Sequence, residues 1–419
     1  MSHFSSTARR AGAPTVSWTI AFAAAALVLA LRAPDALRVP QLWAEDGTIF
    51  FGGQHGHLLP QLFVAYAGYL HWIIRLVAWT ATWFSAACTP AIYNYAALAI
   101  AAASIASLRA LPLALGGYAL LLAPFALTPT SGEVFGTLTN SQWFTQFYLI
   151  VVVTRFVRGE TPAHAWRSGI ATVLVSLSGP YCLMAAPGAL IGLLWRYHVE
   201  RDHHMSLRAS LLAPAARNFW LMFGCSLIQL GYIVFDDTSG HASLAQTLGG
   251  VTDMLICTQA HVLGFAAMPN PVFLTLLATI VVAALMLVRR AGGDRSVLLA
   301  LLIFTLLELL APANKIGAYP GLLANLVAAD RYFLLPKIVV WWCVAIVANG
   351  LWRSANAPYV VVAALLGSNA VSASGFLQRS VLPDLDWPAY APQIDAGQEV
   401  SIPINPIGWR VALPARTPP

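Results

Sequence analysis

Apolar residues run through this chain in long, nearly uninterrupted stretches, and polar residues gather at the joints between them. The pattern is not the period-two alternation of half-buried strands, and a one-sided helical stripe is equally rare. A helix needs about 20 apolar residues to cross a bilayer. Stretches that reach or approach this length predict helices over 15–32, 91–107, 111–128, 142–156, 217–234, 271–288, 295–312, 332–351 and 357–374. Two shorter apolar pieces, 168–179 and 182–195, meet at SGPYC. Too long together for one helix, they read as a helical hairpin with Gly179-Pro180 at its tip.

Composition sharpens this reading. Of 419 residues, 58% are hydrophobic and 10% charged, where a soluble domain carries about 25% charge. The expected fold is an all-α polytopic membrane protein of about 9–11 transmembrane helices, with interfacial helices in its first outer loop. A β-barrel is excluded by the continuous apolar runs. The net charge of +6 does not point to nucleic acid, because arginines between apolar spans act first as topology signals. Arg9 and Arg10 precede a long apolar run that reads as an uncleaved first helix with a cytoplasmic N-terminus. The five cysteines are scattered without ligand spacing and read as small packing residues.

The segment 61–87 decides the register. It is rich in aromatics and carries Arg75 near its middle, which suits a helix lying along the outer surface. On that reading Arg155, Arg158, Arg167, Arg196, Arg201 and Arg208 all fall inside, as the positive-inside rule requires. The basic loop RYHVERDHHMSLR is then solvated and cytoplasmic. A transmembrane domain over 1–374 has outer loops at 33–90, 129–141, 235–270 and 313–331, and a short extracytoplasmic tail follows at 375–419. Within that tail VSIPI has strand-like alternation, suited to a small cap or an ordered tail.

The candidate chemistry lies in these outer loops. Glu45 and Asp46 are adjacent in WAEDG. Neighbouring side chains diverge on a helix and oppose each other on a strand, so a division of labour fits them better than a shared proton. One would act as a general base and the other would orient substrate or bind a cation; the same residues also fit a solvated turn capping a helix. Glu133 is the only acidic residue between Phe51 and Gly159. Beside it Thr137, Thr139, Asn140, Ser141 and Gln142 offer groups for a sugar or a cation, or caps for the next helix. Arg331 and Tyr332 open the helix at 332–351, with Lys337 further in. A cation there suits a lipid phosphate, or simple anchoring at the interface. Glu308 lies near the outer end of an apolar helix and needs a partner, with Lys315 and Lys337 as candidates for an ion pair. His71 and Arg75 lie in the first outer loop as further substrate contacts. His55 and His57 form an HxH with no third ligand at a diagnostic spacing. Walker A, GxSxG and HExxH sequences are all missing, which argues against ATP-driven transport by this chain.

Taken together, WAEDG, the following YAGYLHWIIRLVAW, the second-loop GEVFGTLTNSQW and the basic ADRYFLLP resemble the GT-C superfamily of polytopic glycosyltransferases. The layout is similar over most of the membrane part, and specifically so in the first 150 residues. Unlike relatives with a large soluble C-terminal domain, this chain has only about 45 residues after its last helix, so a folded protein acceptor is disfavoured. The resemblance implies a polyprenyl-phosphate sugar donor, a glycan or lipid-linked acceptor, a GT-C-like fold in a bacterial inner membrane and a site facing outward. It implies Asp46 or Glu45 as base, with Asp46 the first choice, and Arg331 as phosphate clamp. Glu133, Asn140, Gln142, Tyr332, Lys337, His71 and Arg75 would contact substrate. A divalent cation, Mg or Mn, on Asp46 and Glu133 is the one cofactor it leaves room for. Attack opposite the phosphate would invert the anomeric centre. The rival reading is a transporter or flippase built around Glu308, Lys337 and the broken hairpin.

Overall fold

The computed structural model describes residues 16–111, 117–198, 206–235, 243–263, 295–318, 323, 329–351, 360, 363, 367 and 374–415. Helices start and stop where local chemistry dictates. The first, α1 (Trp18–Arg32), begins at Ser17, whose hydroxyl accepts the Ile20 N–H at 3.2 Å. There follow α2 (Trp72–Ala81), α3 (Thr89–Ser107), α4 (Tyr118–Leu127), α5 (Gln142–Arg158), α6 (Ala165–Ser176), α7 (Cys182–His198) and α8 (Arg217–Val234). α5 stops at Gly159, which is left-handed at φ 71°, with Arg155 and Arg158 in its last turn. Beyond lie α9 (Leu244–Leu263), α10 (Arg295–Leu310), α11 (Leu334–Leu351), α12 (Trp387–Asp395) and the strands β1 (Val400–Ile404) and β2 (Trp409–Leu413).

The fold is mostly helical. Among the described residues, two helical stretches, Ala86–Ala110 and Arg295–Ala318, are long and apolar enough to cross a membrane. The central helix is α5, buried on nearly every side. Close approach between α7 and α10 rests on glycine: a Cβ at Gly188 would stand 2.7 Å from the Ala300 carbonyl, and one at Gly192 2.7 Å from the Ala300 Cβ. Arg32, buried at the end of α1, donates to the carbonyls of Phe125, Ala126 and Thr128 at 2.9–3.1 Å. It thereby satisfies the C-terminal carbonyls of α4, which carry negative partial charge.

Two of the expected loops contain helices. Segment 61–87 yields only the ten-residue α2 between turns, about 15 Å of helix and too short to cross. The expected outer loop 235–270 contains the twenty-residue α9. Its threonines, glycines and Asp253 dilute the apolar pattern that marks the other helices. The expected helix 271–288, most of 357–374 and the basic residues at 199–205 lie outside the described residues.

The tail folds back on the loop 33–90. β1 and β2 form an antiparallel hairpin in which Val400, Ile402 and Ile404 are buried, as their alternation requires. They share a second hydrophobic core with Leu42, Phe50 and Phe51. Gly47 is where the two meet: a Cβ there would stand 2.6 Å from Ile404 Cδ1 and 2.7 Å from Val411 Cγ2. Asp395 accepts from the Ser85 hydroxyl at 2.6 Å and the Ala86 N–H at 2.9 Å.

Candidate functional site

The acidic turn is held from both sides. The hairpin packs on Gly47, and Asp46 reaches the second loop. Asp46 is fully buried and accepts from the Leu138 N–H at 2.9 Å, the Thr139 N–H at 2.6 Å and the Thr139 hydroxyl at 2.5 Å. Burial pushes its carboxyl up to about 6, against the pull of these bonds, and Glu45 adds to the rise. Asp46, the first choice as base, is thus held by the second loop. With both oxygens already accepting bonds and none of its surface exposed, Asp46 offers an acceptor hydroxyl no approach. Its geometry ties the loop 33–90 to the loop 129–141. Glu45 is different. It is half-buried, and its contact is the Tyr66 hydroxyl, which donates at 3.3 Å.

Glu133 and Arg331, 198 positions apart, meet at 3.2 Å. The second oxygen of Glu133 is buried with no hydrogen-bond partner among the described residues. Burial pushes the Glu133 carboxyl up to about 7; Arg331 opposes the rise, while Asp330 and Glu45 add to it. Arg331 is partly buried, yet Glu133 holds its guanidinium above the usual range, and it lies 5.4 Å from the centre of the Tyr332 ring. Glu45 acts electrostatically on Asp46, Tyr66, Glu133 and Arg331. Charged groups from three separate loops thus share one neighbourhood.

Tyrosines line it. Tyr66, Tyr69, Tyr181 and Tyr332 influence one another and feel Arg331. Trp143 meets Tyr181 and Tyr332 edge-on, each at 5.4 Å between ring centres. Sequence reasoning had placed Tyr332 here. It missed Tyr66, Tyr69 and Tyr181, although the YAGY doublet and the Gly-Pro-Tyr hairpin tip were signals. Gln142, also expected, is buried beside the Tyr69 phenol.

Other expected contacts are engaged by protein groups. His71 is buried; its Nδ1 pairs with the Tyr69 carbonyl at 3.1 Å and its ring stacks on Tyr69 at 4.6 Å. Burial, with Arg75 nearby, pushes it down to about 3, so it is neutral. Arg75 donates to the Ile49 and Val64 carbonyls at 3.2 and 3.3 Å and lies over Phe50. These bonds shape the loop and leave the guanidinium facing protein. Asn140 donates to the Glu133 carbonyl and to Thr137, each at 3.0 Å, and orders the second loop. Lys337 is buried against Asp330 and the Pro129 carbonyl. Asp330 was missed in the sequence, yet it also takes the Ser131 N–H at 2.8 Å and His261 at 2.9 Å. Burial alone would raise Asp330, but Lys337 and His261 hold it below the usual carboxylate range. Lys337 therefore does not pair with Glu308, whose two buried oxygens have no hydrogen-bond partner among the described residues.

A divalent cation on Asp46 and Glu133 does not fit. The oxygens of Asp46 are filled by N–H and O–H donors, and Glu133 holds Arg331; Mg or Mn takes about six oxygen ligands. Among the described residues, no three His, Cys, Asp or Glu side chains stand where they could hold a metal.

No protein-family model matches the chain, and no curated protein or solved structure is significantly similar to it.

Proposed function

We propose that this chain is a polytopic membrane glycosyltransferase of GT-C-like fold. It would move a sugar from a polyprenyl-phosphate donor to a hydroxyl of a glycan or lipid-linked acceptor at the outer face of a bacterial plasma membrane. The observation that carries this reading is the gathering of Glu45, Glu133 and Arg331 beside four tyrosines, from loops far apart in sequence. The two long apolar helices support the membrane setting.

Glu45 is the base in this reading. It is the accessible carboxylate of the acidic pair, and Asp46 anchors the turn that presents it. Glu45 takes the acceptor hydroxyl proton as the oxygen bonds to the anomeric carbon. The carbon–phosphate oxygen bond breaks, and the phosphate leaves with its electron pair toward Arg331. Attack from the opposite face inverts the anomeric centre. Tyrosines supply flat apolar faces and hydroxyls, a combination suited to sugar rings.

The test is transfer of radiolabelled sugar from polyprenyl-phosphate donors in liposomes. Glu45→Gln should lower turnover at least about 100-fold, the usual range for a lost general base, with the protein still folded. Folded Asp46→Asn should retain activity within about tenfold of wild type. Full activity in Glu45→Gln would end this assignment. The unpartnered Glu308 favours the rival transport reading, in which the lipid-linked sugar crosses without bond cleavage. Against it, Lys337 is engaged by Asp330 and is not free along a path.

A further inference from the structure

Behind the charged cluster lies a second set of polar atoms that nothing in the mechanism uses. Glu308 projects from α10, an otherwise apolar helix, and is buried with both carboxyl oxygens unbonded among the described residues. Tyr181, at the tip of the hairpin between α6 and α7, is buried with an equally unbonded hydroxyl. Glu308 acts electrostatically on that phenol, as do Tyr69, Tyr332 and Arg331. Gln142, the first residue of α5, is buried with no well-formed bond to its amide oxygen. That oxygen would stand 3.3 Å from a Cβ at Gly179, one residue before the hairpin turns, so the backbone there leaves it room. Three elements thus contribute unsatisfied polar groups, and Arg331 acts on the Tyr181 phenol among them. Buried polar groups are ordinarily bonded, so a cluster of unbonded ones needs an explanation.

We propose that Glu308, Tyr181 and Gln142 form an inner subsite that binds the ring hydroxyls of the transferred sugar, and that this sugar carries no acid group. The inference rests on the glycosyl-transfer reading and deepens it. Carboxyl and amide oxygens accept hydrogen bonds, and sugar hydroxyls donate them. A uronic acid would set its carboxylate against Glu308, with Arg331 already committed to the phosphate. A neutral hexose or pentose meets neither obstacle. Trp143, against Tyr181 and Tyr332, supplies an apolar wall for the ring.

The test uses full-length protein in nanodiscs and three probes: a polyprenyl phosphate without sugar, the same lipid bearing a neutral hexose, and free methyl hexosides. Glu308→Met and Tyr181→Phe should bind the sugar-free lipid within about twofold of wild type and the hexosyl lipid about tenfold more weakly. Glu308→Met should also raise the apparent Tm, because it removes an unbonded buried carboxyl. A structural role predicts the reverse, a lower Tm with both lipids weakened alike. That result, or unchanged hexosyl-lipid binding, overturns the proposal. If wild type binds no lipid phosphate, the transferase reading fails. Glu308-dependent binding of methyl hexosides would then still sustain the sugar subsite, and its absence would overturn that as well.

Discussion

The Arg379 guanidinium closes on both oxygens of Asp35, at 3.2 and 2.5 Å, and donates to the Phe135 carbonyl at 2.8 Å. One side chain from the tail thereby holds the loop 33–90 and the loop 129–141, and the latter carries Glu133. Arg379 and Asp35 are both buried. Removing one partner of such a pair strands a charge in apolar surroundings and costs about 3–5 kcal/mol. Arg379→Met and Asp35→Leu should each destabilise by about that amount. The double variant should recover much of the loss, because no charge is left unpaired. A double-mutant cycle on thermal or denaturant unfolding in detergent checks this, and additive single effects would refute it.

Little of this tail contact could be read in the sequence. The hairpin strand was visible, because Val400, Ile402 and Ile404 alternate with polar or edge positions. The long apolar helices were visible for the same reason, since hydrophobic runs encode burial directly. Asp35 and Arg379 are 344 positions apart, and neither carries a local motif. Asp330 was missed because its partners Lys337, His261 and Ser131 are brought to it by the fold. The acidic pair stood out in the sequence, but the different surroundings of its two members did not. Whether Glu45 or Asp46 faces outward depends on where Leu138 and Thr139 fall, and that is tertiary information. His71 and Arg75 contact the backbone carbonyls of Tyr69, Ile49 and Val64, which no local pattern announces.

The second loop turns on two glycines whose surroundings forbid a side chain. Gly132 sits at φ 83° with a Cβ position 2.6 Å from Arg379 Cα, and Gly136 at φ 71° with one 2.6 Å from Ala36 Cβ. Gly56 has a similar φ of 79° with open space around it. Alanine at 56 should cost about 1 kcal/mol of backbone strain. Alanine at 132 or 136 adds overlap with fixed atoms and should cost about 2–4 kcal/mol. Equal Tm losses across the three variants would show that φ alone decides.

Asp46 gives stability a definite pH dependence. Its folded value of about 6 exceeds the ordinary 3.8. Between these values the folded chain keeps a proton that the unfolded chain has released, so rising pH favours unfolding. The contribution is fully present below about pH 4, falls by about 3 kcal/mol as pH rises to about 6, and is flat above. Asp46→Asn removes this slope. It also replaces one acceptor oxygen with a donor that opposes the Leu138 and Thr139 N–H groups, which lowers stability by about 1–3 kcal/mol at neutral pH. Unfolding measured from pH 4 to 8 in both proteins separates the two effects. A parallel pair of curves would remove Asp46 as their source.

On the glycosyl-transfer reading, Glu133 and Arg331 should couple phosphate binding to a proton. An incoming phosphate on Arg331 would compete with Glu133 for its guanidinium. Glu133 then loses the neighbour that opposes its upward shift, which already stands at about 7 with Arg331 in place. Its carboxyl therefore rises further and takes up a proton as the lipid phosphate binds. By linkage, affinity for polyprenyl phosphate should fall as pH climbs above 7, with a limiting slope of about tenfold per pH unit for one proton. Glu133→Gln cannot take up the proton and leaves Arg331 free of a competing carboxylate. It should bind the lipid phosphate more tightly at about pH 8 and show no slope beyond that of the phosphate itself. Arg331→Gln should lose at least about tenfold in affinity at every pH, as expected for a lost charge-assisted hydrogen bond. Calorimetric titration in two buffers of different ionisation enthalpy counts the protons directly. Uptake near one in wild type and near zero in Glu133→Gln is the expected result; equal uptake in the two would place the titrating group elsewhere.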